Sequence, residues 1–257
     1  MRFDEQTFWQ GVLTGFFVLA GIVALRLRSV AAPYGRHNQR PIWGPQVSSL
    51  LGWLMMEVPA SIAPMILFLV GGRRDAVLWT FFVLWQFHYF YRAFIYPVRR
   101  RGGVSTMPLV IALSGLVFNL LNTYLNWRFL THFASIDRYG RDWLWDPRFV
   151  VGALLFFFGL SINQHADWVL MNLRKPGETG YKIPFGGLYR FISCPNYFGE
   201  LLEWLGWAIL TFSLPGLAFF VWTAANLIPR ALAHHRDYLA RFPSYPSERR
   251  AVLPFVL

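Results

Sequence analysis

The chain has 257 residues, of which 55% are hydrophobic, 19% aromatic and only 14% charged. A soluble domain carries about 25% charged residues, so a water-soluble globule is excluded, and the length leaves room for one polytopic bundle without a second domain. The net charge of +11 would suggest a nucleic-acid partner in a soluble protein, but here the arginines sort by side of a membrane, and no nucleic acid is expected.

A helix needs about 20 apolar residues to cross the hydrocarbon. In chain order the apolar stretches are about 7–27, 48–71, 76–96, 107–130, 148–171, 197–213 and 214–230, the last two parted only by "SLPG". The reading is an all-α integral membrane protein with seven transmembrane helices, residues 1–257 forming one domain. The first stretch has no basic leader or A-x-A-like site and is read as a retained span, not a cleaved signal. Arg26, Arg28, Arg36 and Arg40 follow the first span, Arg99, Arg100 and Arg101 the third, and Arg174, Lys175, Lys182 and Arg190 the fifth. Arg230, Arg236, Arg241, Arg249 and Arg250 lie in or near the tail. Excess Lys and Arg mark the cytoplasmic side, so the N-terminus is placed outside and the C-terminus in the cytoplasm. The single cysteine, Cys194, excludes an internal disulfide, and no Cys/His cluster has zinc spacing, so no metal is expected. The closing "SERRAVLPFVL" ends in an apolar cluster expected to dock on the bundle or the interface.

Polar side chains inside spans are costly and mark function or specific pairing. Glu57 lies about 14 Å inside the second span and Tyr89 about 10 Å inside the third, both counted from the cytoplasmic end at 1.5 Å per residue. On adjacent antiparallel helices the two could meet. Asn163 and Asp167 are spaced i,i+4 and share a face of the fifth span, and Glu200 and Glu203, spaced i,i+3, share a face in the first turns of the sixth. Asn119, Asn122 and Asn126 line one side of the fourth span, where helix–helix hydrogen bonds are the plainer reading. His88 reads as a packed neighbour. The ionisable groups gather toward the cytoplasmic half, the layout of a pocket open to the cytosol. The loop "LRKPGETGYKIPFGGLYRFISCPNYFGE" combines Gly and Pro with the cations Arg174, Lys175, Lys182 and Arg190 and the aromatic rings of Tyr181 and Tyr189. Cations for phosphate and rings for stacking suit a phosphorylated aromatic ligand, as does the Asn196 turn that follows. Neither a G-x-G-x-x-G nor a Walker motif is present, so Rossmann and P-loop sites are excluded. In "PRALAHHRDYLARF", Arg230 precedes His234 and Tyr238, whose i,i+4 spacing could close a cytoplasmic mouth.

These residues resemble the steroid 5α-reductases, or 3-oxo-5α-steroid 4-dehydrogenases. The similarity spans nearly the whole chain and is most specific in "INQHADWVLMNLRKPGETGYKIPFGGLYRFISCPNYFGELLEWLGWA" and "ALAHHRDYLARFPSYPSERRAVLPF", with "MMEVPA" and "FHYFYRAF" earlier. The resemblance implies a seven-helix oxidoreductase that holds NADPH between its helices and cytoplasmic loops, the cofactor half being about 148–257. It implies reduction of the C4–C5 double bond of a 3-oxo-Δ4-steroid or related enone lipid, entering from the bilayer. Carried across by position, Glu57 and Tyr89 are the catalytic pair at the 3-keto oxygen. Asn163, Asp167, Arg174, Tyr181, Lys182, Asn196, Glu200, Glu203, Arg230, His234 and Tyr238 are the cofactor residues. Two departures stand out: Gly103 occupies a position where the family can place an arginine, and Lys182 one where an arginine can occur. In such an enzyme Tyr89 would donate to the ketone oxygen, and Glu57, kept protonated by burial, would donate too or orient the tyrosine.

The rival readings are an isoprenylcysteine-type membrane methyltransferase using S-adenosylmethionine, which also carries a "PNYFGE"-like turn, and a non-catalytic sterol-binding protein. Glu57 with Tyr89, and the length of the match around "LRKPGETGYKIP", favour the reductase. A monomer among membrane lipids is expected. Heavy use of Arg over Lys hints at a GC-rich bacterial genome and hence a bacterial inner membrane, the endoplasmic reticulum being the alternative in a eukaryote.

Overall fold

The computed structural model describes residues 4–29, 43–99, 106–175, 178 and 180–257. Arg36, Arg40, Arg100, Arg101 and Gly103 lie outside the described residues. In hydrocarbon every backbone N–H and C=O needs an internal partner, and the apolar stretches accordingly fold as helices. The long ones are α1 (Glu5–Ser29), α2 (Ser49–Val70), α3 (Ala76–Phe90), α5 (Leu109–Arg128), α6 (Pro147–Asn172), α7 (Pro195–Thr211) and α8 (Leu214–Arg241), with a short α4 (Tyr96–Arg99). Among the described residues, five segments are long and apolar enough to cross a membrane: Glu5–Ser29, Ser49–Val70, Leu109–Phe133, Pro147–Asn172 and Leu214–Arg241. Shorter helices stand at the other two expected spans, α3 with 15 residues and α7 with 17. Through a π-helical turn at Tyr91–Ile95, α3 runs on into α4.

The chain divides into two compact units, one of Met1–Gly15 with Ala32–Val150, the other of Phe16–Ala31 with Val151–Leu257. In the first unit α2 packs on α3 and α5, and the short strands β1 (Gln46–Ser48) and β2 (Thr106–Pro108) pair antiparallel with Val47 opposite Met107. Ser48 caps α2 by accepting from Leu51 N at 3.2 Å, and Asp75 caps α3 by accepting from Leu78 N at 3.0 Å, each satisfying a donor that the first turn leaves open. Pro64 has no N–H to give to Ala60 four residues back, and the freed carbonyl takes the indole N–H of Trp85 at 2.8 Å. That exchange ties α2 to α3 at a point where a kinked helix would otherwise leave a bare acceptor. The first turns of α1 close this unit: Trp9 Nε1 donates to Leu125 O at 3.1 Å, and Arg128 pairs with Glu5 at 2.6 Å.

The second unit is built on close backbone contact. Gly152 and Gly159 on α6 face Gly206 and Gly199 on α7, each pair seven residues apart and so on one side of its helix. A Cβ on Gly159 would lie 2.4 Å from Glu203 N, and one on Gly199 would lie 2.5 Å from Asn163 N. Small residues let helix backbones approach where lipid supplies no hydrophobic drive. The α7–α8 turn differs from its sequence reading. Helix α7 ends at Phe212 in the left-handed conformation, with φ of 41°, and Ser213 caps α8 by accepting from Gly216 N at 3.1 Å. "SLPG" is thus the capped first turn of α8, where proline's missing N–H costs nothing, and not a loop. Helix α8 also continues past residue 230 to Arg241, which places Arg230, His234 and Tyr238 along one face. The C-terminal segment folds back as expected, with Ala251 and Val252 buried against Cys194, Leu201 and Ala231.

Candidate active site

Within the first unit, Tyr89 is buried near the end of α3 between Trp85 at 4.9 Å and His88, also at 4.9 Å, between ring centroids. Its hydroxyl donates to Asn119 Oδ1 on α5 at 3.3 Å, while Asn119 Nδ2 donates to Met56 O on α2 at 2.6 Å. Asn119 therefore spans from Tyr89 to the residue next to Glu57, joining three helices. This is the helix–helix role expected of it, whereas Asn126 bonds within its own helix to Asn122. Glu57 has a neighbour the sequence reading missed. Arg92 Nε stands 3.8 Å from Glu57 Oε1, and its guanidinium lies 4.6 Å from the ring centroids of both Trp53 and Tyr96. Arg92 sits in the π-helical turn, one extra residue per turn changing which side of the helix it occupies, and such turns recur at functional sites. Burial is thus not the only influence on Glu57, which also has a cation in reach.

The second unit holds all the expected cofactor residues, but in three settings. An inner ladder runs between α6 and α7, where the glycine contact brings short side chains into reach. Asn163 Nδ2 donates to Asn196 O at 2.9 Å and reaches Glu200 Oε2 at 3.5 Å, and Asn196 Nδ2 donates to Asp167 Oδ1 at 3.2 Å. Glu203 is wholly buried one turn further along, against α6. A second group links α7 to α8: Arg230 Nε donates to the Tyr197 hydroxyl at 2.6 Å, and that hydroxyl lies 3.3 Å from His234 Nε2. Tyr197 was not singled out in the sequence, although its place beside Asn196 in "PNYFGE" was the available signal. Tyr238 is buried and stacks on Tyr245 at 5.0 Å with planes 9° apart.

The other three cofactor residues lie in an exposed setting. Arg174 reaches Gly180 O at 3.4 Å, Lys182 pairs with Glu178 at 2.5 Å, and Tyr181 lies beneath the Arg241 guanidinium at 5.4 Å. The Lys182 ammonium, with the Lys175 amide, holds the Glu178 carboxyl below its ordinary range. Tyr189, read from sequence as a stacking surface, is instead buried, its hydroxyl donating to Ala166 O at 3.4 Å. Its ring sits in a 3-10 turn, Gly187–Arg190, that Gly186 and Gly187 enter with φ of 95° and 51°. Those values favour glycine and turn the ring inward.

Amides and carboxylates in the ladder can meet a ligand that offers both donors and acceptors, and the exposed cations can meet its negative charge. The chain is similar to known proteins along nearly its whole length. Residues 105–257 match the family model described as 3-oxo-5-alpha-steroid 4-dehydrogenase. Steroid 5-alpha-reductase DET2 of Gossypium hirsutum is 42% identical, covering 98% of this chain and 99% of its own. The enzyme of that name from Arabidopsis thaliana is 40% identical over 98% of both chains, and 3-oxo-5-alpha-steroid 4-dehydrogenase 1 of Rattus norvegicus is 40% identical over 95% of this chain and 93% of its own. Similarity this extensive, covering both units, means that the chain belongs to the 3-oxo-5-alpha-steroid 4-dehydrogenase family of oxidoreductases.

Proposed function

We propose that this protein reduces the C4–C5 double bond of a 3-oxo-Δ4-steroid, or a closely related enone lipid, with NADPH, in a bundle of seven crossings whose C-terminus faces the cytoplasm. The observation that carries this reading is Tyr89, a buried phenol whose hydroxyl rests on Asn119 through a long 3.3 Å bond. A weak bond of that length is readily exchanged for a stronger one to a ketone oxygen. As the double bond is reduced, negative charge develops on the 3-keto oxygen. A donor aimed at that oxygen in a water-poor site is worth about 3–4 kcal/mol of barrier. Tyr89 supplies that donor. Asn119 holds the phenol at a fixed height by its own bond to Met56 O, so the hydroxyl needs little reordering on binding. Glu57 lines the same oxygen, and Arg92 keeps its carboxyl oriented.

The residues of the second unit suit the dinucleotide. Asn163, Asn196, Asp167 and Glu200 alternate amide and carboxylate, which matches a carboxamide and ribose hydroxyls. Arg174 and Lys182 suit phosphates, and Tyr181 offers an exposed ring to adenine. Bound NADPH supplies a hydride for C5 of the enone. The proton for C4 then comes from water or from a side chain of the site.

The test is NADPH oxidation by purified protein with testosterone or progesterone, with product mass and stereochemistry, for wild type, Glu57→Gln and Tyr89→Phe. A 5α-dihydro product from wild type, lost in either variant while NADPH still binds, supports the reading. NADPH binding without turnover would make the substrate wrong, and absence of NADPH binding would overturn the proposal.

A further inference from the structure

Helix α8 and the C-terminal segment converge on one serine at the start of α7 that the proposed chemistry does not use. Ser193 is 3% exposed and sits just before α7. Its Oγ lies 2.7 Å from His235 Nδ1 on α8, 2.6 Å from the Tyr245 hydroxyl and 3.2 Å from Arg250 O in the C-terminal segment. A serine hydroxyl has one proton and two lone pairs, so three partners saturate it. Arg250 O can only accept, so with the serine proton on that bond the Tyr245 hydroxyl and the His235 ring N–H are the groups that donate to the serine oxygen.

The backbone repeats the same junction. Arg250 N donates to Phe191 O at 2.9 Å, Ser193 N to Arg250 O at 2.8 Å and Cys194 N to Ala251 O at 3.0 Å. Two residues beyond Cys194 stands Asn196, which bonds Asp167, and next to His235 stands His234, which faces Tyr197. Tyr245 carries the connection further through its stack on Tyr238. The same segment holds the loop as well. Arg249 is buried, with its guanidinium 4.9 Å from the Phe185 ring and 5.0 Å from the Tyr245 ring, and it donates to Pro184 O at 3.1 Å.

We propose that Ser193 is a positioning residue for dinucleotide binding. Its hydroxyl locks the C-terminal segment against the start of α7 and so fixes Asn196 relative to His234 and Tyr238. The inference rests on the reading of these residues as dinucleotide ligands given above. Ser193 is not one of the proposed ligand residues, yet each of its three bonds ends on an element that carries a ligand residue or braces one. Removing the hydroxyl leaves the buried Tyr245 hydroxyl and the half-buried His235 ring to find new partners, and the cheapest route is a small rotation of the α8 end away from α7. Such a shift weakens dinucleotide binding without changing the groups that act on the steroid.

Ser193→Ala, Tyr245→Phe and the double variant test this in detergent or nanodiscs. The measurements are NADPH Kd by tryptophan-to-nicotinamide energy transfer, separate KM values for NADPH and steroid, and kcat at saturating NADPH. Ser193→Ala should raise Kd and KM for NADPH by about tenfold, with kcat within about twofold and the steroid KM unchanged. Tyr245→Phe should give a smaller rise, and the double variant should match Ser193→Ala, because both remove the same bond. If Ser193→Ala fails to fold, Tyr245→Phe, which removes one oxygen and keeps the ring stack, decides alone. Wild-type Kd in the folded variants, or equal losses in kcat and both KM values, overturns the proposal. Failure of the wild type to bind NADPH overturns the underlying functional reading as well.

Discussion

The two units hold their functional groups by opposite means. Around Tyr89 the first unit packs with bulk: Trp85 lies 6.0 Å from Trp127 edge to face, Phe82 lies 5.6 Å from Trp127, and Phe68 lies 4.8 Å from Phe82. Polar groups there pair locally across the helices, Tyr89 with Asn119, Asn119 with Met56 O and Trp85 with Ala60 O. Between α6 and α7 the second unit packs by omission, with four glycines letting backbones touch. Because the helices are that close, short side chains such as Asn163, Asp167 and Asn196 reach across and form a ladder. In lipid, apolar surface gains nothing by leaving one apolar neighbour for another, so association depends on fit and hydrogen bonds. Interlocked rings give rigidity around the Tyr89 hydroxyl, and bare backbone gives a dense polar array.

If that contrast holds, the glycine contact should be the least forgiving part of the molecule. Gly199→Leu puts a side chain where even a Cβ would lie 2.5 Å from Asn163 N and as close to Gly159 O. Backbone cannot swing aside as a side chain can, so loss of the folded protein is expected, read by size-exclusion profile and thermal unfolding. Gly199→Ala should destabilise by about 1–3 kcal/mol. Gly11→Ala on α1, with nothing within 4 Å, should be tolerated, and equal tolerance at both sites would break the comparison.

Next in size is the Tyr89 hydroxyl of the aromatic region. Tyr89→Phe keeps the ring and removes the hydroxyl, so kcat should fall about 10²–10³-fold with NADPH Kd unchanged, measured by single-turnover kinetics and titration. A smaller effect follows for one rung of the ladder. Asn163→Leu leaves Asn196 O without its 2.9 Å donor and should weaken NADPH binding by about tenfold, with the steroid KM unaffected. A loss confined to kcat would place Asn163 with the chemistry instead.

The smallest effect belongs to an exposed pair that neither packing mode protects. Asp146 caps α6 and bonds Arg148 through both side chain and backbone, which lowers its carboxyl to about 2 from 3.8. A depressed folded-state pKa adds stability that is present above the unfolded value and is lost as pH falls through the folded one. Asp146→Asn should therefore lower the melting temperature slightly at neutral pH, and the difference from wild type should close between about 3.8 and about 2. Solvent and salt keep that difference small.

Much of this architecture was legible from local pattern. Apolar length located every long helix, because a chain in lipid must satisfy its backbone within each segment. The i,i+4 spacing of Asn163 and Asp167, and of His234 and Tyr238, placed each pair on one helix face before any coordinates. The depth of Glu57 in its span set that carboxyl apart as a candidate for function, while Tyr89 alone read equally as a core or belt aromatic. Family similarity then supplied the reaction class that composition could not.

Other features depend on which residue meets which, and no local pattern contains that. Spacing shows that Gly159 and Gly199 exist, but only the packed pair shows that one faces Glu203 N and the other Asn163 N. Arg92 comes to Glu57 from a π-helical turn that no apolar periodicity announces. Tyr189 and Tyr181 look alike in a loop of mixed composition, yet one is buried by a glycine turn and the other is exposed. Sequence alone determined the helices and the kinds of residue available for chemistry, since both follow from hydrocarbon length and residue type. Tertiary structure decided their partners, because a contact between distant segments is set by backbone approach and local helix geometry.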